Sequence, residues 1–195
     1  MAIVSKTTIA ARQIRRVLPQ ANITKITTRV QASPGRLTDC DAVFGCLDSF
    51  DARLQLEALC RRYLIPYIDL GMDVGQCEGG FLIFGQVALS MPGKPCLQCT
   101  NVIKDEWRAR EAAGYGAAGG RPQVVWPNGV LASLAVGILI QLVTPWHSDG
   151  HGSTLLEYDG NRQTVVRSTM LNHLTGCPHF ESLDNVGDPW FNLTK

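Results

Sequence analysis

Apolar positions change their spacing along this chain, and the changes mark out its elements. From Lys6 to Leu18 they fall at 9, 10, 14, 17 and 18, a helical rhythm that Pro19 stops. Asn22 to Val30 (NITKITTRV) alternates β-branched with polar residues and predicts a strand. A polar connection containing Ser33-Pro34-Gly35 follows, from Ala32 to Asp39. Asp41 to Cys46 (DAVFGC) is almost wholly apolar, the pattern of a short strand buried on both faces of a parallel sheet. Phe50 to Leu64 predicts a helix, with Asp48 or Ser49 placed to cap it through a side-chain oxygen. Pro66 to Leu70 (PYIDL) is the next strand. Strands and helices alternating over short connections predict an α/β fold, a Rossmann-like, mostly parallel sheet.

The second half has a different texture. Phe81 to Ser90 reads as strand, Asp105 to Ala113 as a short helix, and Tyr115 to Pro122 as a glycine-rich loop. Gly129 to Val143 is apolar all round, bracketed by Trp126-Pro127 and Pro145-Trp146, and shorter than the roughly 20 residues a bilayer needs. It reads as a buried core helix. Leu155 to Asp159 and Gln163 to Ser168 flank Gly160-Asn161, a hairpin turn signal, and the last residues look irregular. The expected organisation is a single domain over 1–195, with an α/β part over 1–75 and an antiparallel and irregular extension over 76–195.

Composition narrows the function classes. The 195 residues carry a net charge of +1 with no long basic block, which argues against nucleic acid or an anionic membrane as partner. Only 18% of residues are charged, against roughly 25% in soluble domains, so part of the surface is expected to meet a partner or a second copy. Seven cysteines are scattered along the chain, and Lys6 breaks the N-terminal apolar run. Both fit a reducing cytoplasm rather than secretion. Cys96 and Cys99 alone have a chemically suggestive spacing, since C-x-x-C brings two thiolates to one tetrahedral ion. His147 and His151 lie in a Ser/Asp/Gly context that favours a loop. Cys77 precedes Gly79-Gly80 with no evident means of lowering its pKa, so it reads as structural. Trp107, Trp126, Trp146 and Trp190 read as core or interface residues.

Asp48 is the acid that matters most. It lies two residues beyond an apolar strand, and open α/β sheets bind ligands beyond the carboxyl ends of their strands. A carboxylate there can cap the helix, or hold a metal ion that bridges phosphates. The run DAVFGCLDSFDARLQLEALCRRYLIPYIDLG resembles the central motif of the ThiF/MoeB/HesA family, adenylyltransferases related to ubiquitin-activating enzymes. Cys46, Asp48, Arg53, Cys60 and Pro66 fall in step with it, while Leu47 and Ser49 replace the usual Thr and Asn. Upstream, Lys6 and Ala10 resemble the family's G-x-x-K-x-x-x-A helix. Downstream, Pro95 to Cys99 (PCLQC) resembles half of its zinc knuckle, and Pro127 to Val143 its late helix.

The resemblance implies that Asp48 helps to hold Mg²⁺·ATP and that Lys6 contacts the phosphates. It implies attack by the C-terminal carboxylate of a ubiquitin-like or sulfur-carrier protein on ATP, giving an acyl-adenylate. It also implies a second ligand pair for zinc, with Cys177 as third ligand. Phe180 stands in the place of the fourth, so His179, one residue earlier, is the expected substitute; His173 is a weaker one. The family's glycine-rich phosphate loop precedes the position of Lys6, and none of the nineteen glycines here forms it after a strand. The expectation is a chain N-terminally truncated relative to the family, inactive alone. It would work as a homodimer or with a complementing subunit, or serve as a non-catalytic binding module.

Overall fold

The computed structural model describes residues 4–112, 124–145, 155–169 and 177–180. The chain forms two compact units, 1–36 and 37–195. In the first, α1 (Lys6–Val17) starts at Ser5, whose hydroxyl accepts the Thr8 amide, and stops just before Pro19. The expected strand over Asn22–Val30 does not form; the backbone is irregular up to a 3₁₀ turn at Val30–Ala32. β-branched alternation favours a strand only where a neighbour completes its ladder, and no described strand pairs with this segment.

The second unit is built on a five-stranded mixed sheet in sequential order, β1 (Val43–Gly45), β2 (Tyr67–Cys77), β3 (Gly80–Ser90), β4 (Leu155–Asp159) and β5 (Thr164–Arg167). The β1–β2 pair is parallel and the other three pairs are antiparallel. β2 runs well past the expected Leu70, because all eleven of its residues pair with β3. Gly71 and Gly75 interrupt the strand pattern of that half. At the β4–β5 connection the left-handed residue is Gln163, so the loop is longer than a two-residue Gly-Asn turn.

Alternation along β2 and β3 gives the sheet two different faces. Ile68, Val87 and Leu89 join Leu131, Ala135 and Ile138 of α4 (Val125–Val143) and Tyr158 of β4 in the apolar core. α4 begins four residues before the expected Gly129. Pro127 falls in its first turn, where a missing N–H leaves no bond unmade. The helix has 19 residues and by length and composition alone could cross a bilayer. One stripe of it is core, whereas Trp126, Val136, Ile140 and Val143 are exposed.

The opposite register, Tyr67 and Asp69 of β2 with Ser90 of β3, is equally buried but polar. Against it lies α2 (Phe50–Arg62), whose buried positions are Arg53, Leu56, Glu57, Cys60 and Arg61. That spacing is one helical face, and three of its five residues are charged. Arg53 forms a bidentate pair with Asp69, Nε to Oδ1 at 3.0 Å and Nη2 to Oδ2, while Tyr67 Oη donates to the same carboxylate at 2.8 Å. Burial alone would lower the Arg53 pKa, but the Asp69 bond together with the charges of Asp69, Tyr67 and Glu57 outweighs it and holds the guanidinium above its ordinary value. Burial and the adjacent Asp69 charge push the Tyr67 phenol far up, so it stays a donor. Gly45 lies beside this network, where a Cβ would come within 2.0 Å of Tyr67 Oη.

Two stability measurements test this arrangement. Asp69→Asn, which leaves Arg53 buried without its counter-charge, should destabilise the fold by about 3–5 kcal/mol in urea denaturation. Gly45→Ala should cost about 1–3 kcal/mol through overpacking against Tyr67.

Candidate functional site

Two clusters of chemistry sit at opposite ends of α2. The first is the loop Cys46–Ser49, which leaves the carboxyl end of β1 and enters the helix. Ser49 is the cap, its hydroxyl accepting the Ala52 amide at 3.4 Å, so the Asp48 carboxylate is left outside the cap and exposed. A magnesium ion that brings its own phosphate ligands needs only one or two protein carboxylates, and Asp48 fits that requirement. The first helical amide is already taken. Phe50 N donates at 2.9 Å to the Glu111 carboxylate of α3 (Asp105–Ala112). Trp107 packs beside Phe50 with ring centroids 6.0 Å apart, and Arg108 pairs with Asp51 at 2.9 Å. Lys6 is exposed at the first position of α1, in the other compact unit.

The second cluster is Cys96, Cys99, Cys177 and His179, the expected Cys3His set. The sulfurs of Cys96 and Cys99 are 3.6 Å apart, and Cys99 and Cys177 are separated by 3.7 Å. His179 Nδ1 lies 3.3 Å from Cys96 and 3.4 Å from Cys99. Tetrahedral zinc, with bonds of ~2.3 Å to sulfur and ~2.0 Å to nitrogen, sets these edges at ~3.8 and ~3.5 Å. The four donors therefore already enclose a space of the right size. Burial pushes the Cys96 thiol strongly up. It acts the same way on Cys177, but there the His179 amide, the neighbouring thiols and Arg61 outweigh it and hold that thiol below its ordinary value.

Two side chains one turn apart on α2 hold the first half of this cluster. Glu57 Oε1 accepts the Leu97 amide, inside the C-x-x-C turn, at 2.9 Å, and also the Ser90 hydroxyl. Arg61 Nε donates to Ser90 Oγ at 2.9 Å and its Nη2 to the Lys94 carbonyl at 2.8 Å. Sequence reasoning missed Glu57 and Arg61, because an apolar rhythm does not reveal charged residues on a buried face. The signal was present as Arg53, Glu57 and Arg61 at every fourth position of one predicted helix.

Other candidates separate from these clusters. Cys77 is exposed near the tip of the β2–β3 hairpin. Trp126 is exposed rather than core. His147, His151, His173, Trp146, Trp190 and the glycine-rich loop lie outside the described residues.

Comparison with known proteins identifies the fold and the family. The solved structures similar to the chain include Escherichia coli MccB with ATP, at a TM-score of 0.61 and 16% identity, covering 85% of this chain and 48% of that one. MccB with SeMet MccA matches at 0.62 and 15%, covering 91% and 49%. MccB with MccA-N7isoASN matches at 0.63 and 16%, covering 85% and 49%. The chain thus spans about half the length of these MccB chains and shares their fold. No curated protein matches it. The ThiF family model matches residues 3–179, nearly the whole sequence, and the chain belongs to the ThiF family.

Proposed function

We propose that this chain works in ATP-dependent adenylylation of a C-terminal carboxylate, carried by a ubiquitin-like or sulfur-carrier protein. A carboxylate oxygen attacks the α-phosphorus of ATP. The bond from that phosphorus to the bridging oxygen breaks, and an acyl-adenylate and pyrophosphate leave. The observation that carries the reading is Asp48, exposed outside the helix cap at the carboxyl end of β1, where it can bind a phosphate-bridging Mg²⁺. Lys6 would place positive charge on the phosphates as negative charge grows there. Membership of the ThiF family supports the reading, as does the likeness to MccB structures solved with ATP and with MccA.

The reading includes a complementing chain that supplies the glycine-rich phosphate loop. A binding module without catalysis is the second reading. What favours it is the Glu111 carboxylate on the first amide of α2, where an anionic ligand would otherwise find a donor. The Cys96, Cys99, Cys177 and His179 cluster is proposed as a structural zinc site, since all four positions are filled by protein and none is left for substrate. A cytoplasmic location suits its reduced thiols.

ATP–pyrophosphate exchange separates the readings. The chain alone should give none above background. With a polypeptide carrying the glycine loop, exchange should appear and Asp48→Asn should reduce it by about 10²–10³-fold. Exchange by the chain alone would remove the need for a complement, and no exchange with it would favour the binding module. Metal analysis of the purified chain should find about one zinc per chain, lost in Cys177→Ser. Less than ~0.2 zinc per chain in the native protein would reject the site.

A further inference from the structure

The fourth donor of the cluster comes from a short turn, Cys177–Phe180, closed by the Phe180 amide on the Cys177 carbonyl at 3.2 Å. Consecutive side chains in such a turn diverge, so His179 and residue 180 cannot both face the sulfurs. A contact made by residue 180 outside the turn therefore bears on which side chain faces the sulfurs. That contact is visible. The Phe180 ring lies against the Arg61 guanidinium, 4.9 Å from Cζ to the ring centroid. Arg61 is buried and cannot swing, because its fork is fixed on Ser90 and on the carbonyl of Lys94, two residues before Cys96. A desolvated guanidinium attracts an aromatic face more strongly than one in water.

We infer that Arg61 is a positioning residue for the metal cluster: by holding the ring of Phe180 it sets the register of the Cys177–Phe180 turn and delivers His179 Nδ1 to the three sulfurs. The inference rests on the zinc reading above and adds to it the residue that selects the ligand. One guanidinium then braces both halves of the site. It grips the chain entering the first ligand pair at Lys94 and the residue leaving the second at Phe180. Glu57, one turn earlier, fixes the amide between Cys96 and Cys99. The whole cradle is thus referred to α2, which supplies no ligand itself.

The test uses the full chain stripped of metal and titrated with Co²⁺, with Zn²⁺ competition for affinity. The unaltered chain should bind one Co²⁺ with a ligand-field spectrum of three thiolates and one imidazole. Phe180→Leu keeps apolar bulk at a half-buried site but removes the aromatic face. It should weaken binding by about 10–100-fold, the range for residues that orient metal ligands, and shift the Co²⁺ bands as the imidazole is released. Phe180→Tyr should behave as the unaltered chain. Arg61→Met should match Phe180→Leu, with circular dichroism of the metal-free form confirming that it folds. Exchanging the two residues, His179→Phe with Phe180→His, should not restore the site, because position 180 faces Arg61.

Wild-type affinity and spectrum in Phe180→Leu, or an intact spectrum in the exchanged variant, would overturn the inference while leaving the zinc site standing. Failure of the unaltered chain to bind either metal would overturn both.

Discussion

The structure depends on a helix that buries charge. Arg53, Glu57 and Arg61 lie on the inward face of α2, and a buried ion without a partner costs several kcal/mol. Each therefore has hydrogen-bond partners, although Glu57 Oε2 has none among the described residues. Arg53 fixes β2 through Asp69, Glu57 fixes the C-x-x-C turn through Leu97, and Arg61 fixes the end of β3 and the approach to Cys96. An apolar face could slide by a residue and still be buried. A face of three charges tied to Asp69, Ser90, Leu97 and Lys94 has one seat.

The same helix links the two clusters. Its 13 residues span ~20 Å at 1.5 Å per residue, from the loop holding Asp48 to the Cys3His set. The electrostatics of its two ends differ. Asp48, Asp51 and Glu111 gather at the amino end, where among the described residues Asp51 pairs with Arg108 and Glu111 accepts the Phe50 amide. A bare triphosphate would meet repulsion from those carboxylates, whereas a metal–triphosphate complex carries its own compensating charge.

What could be read from the sequence was what local chemistry fixes. Pro19 stops α1, Asp48 or Ser49 marks the start of α2, and the Cys96–Cys99 spacing announces a pair of donors. His179 could be reached only through the resemblance, as the residue beside a gap in the ligand pattern. The failures came from strand pairing that the local pattern does not reveal. Asn22–Val30 has strand composition without a described partner strand, and Gly71 and Gly75 hid the outer half of β2, whose pairing is set by β3. The polar core could not be seen, because Arg53, Glu57 and Arg61 carry the residue types that usually face water.

The β2–β3 hairpin reaches beyond the sheet that anchors it. β1 accompanies β2 only from Tyr67 to Asp69, and β4 accompanies β3 only from Phe84 to Ala88. Past those points the pair continues as a two-stranded ribbon toward Cys77 and Gly80. At its base Asn161 clasps it, accepting the Ile83 amide and donating to the Phe81 carbonyl. Ribbons of two strands have little stability of their own. The tip can therefore fray and re-form while the rest of the domain stays cooperative, and local melting stops where β4 takes hold of β3 at Phe84.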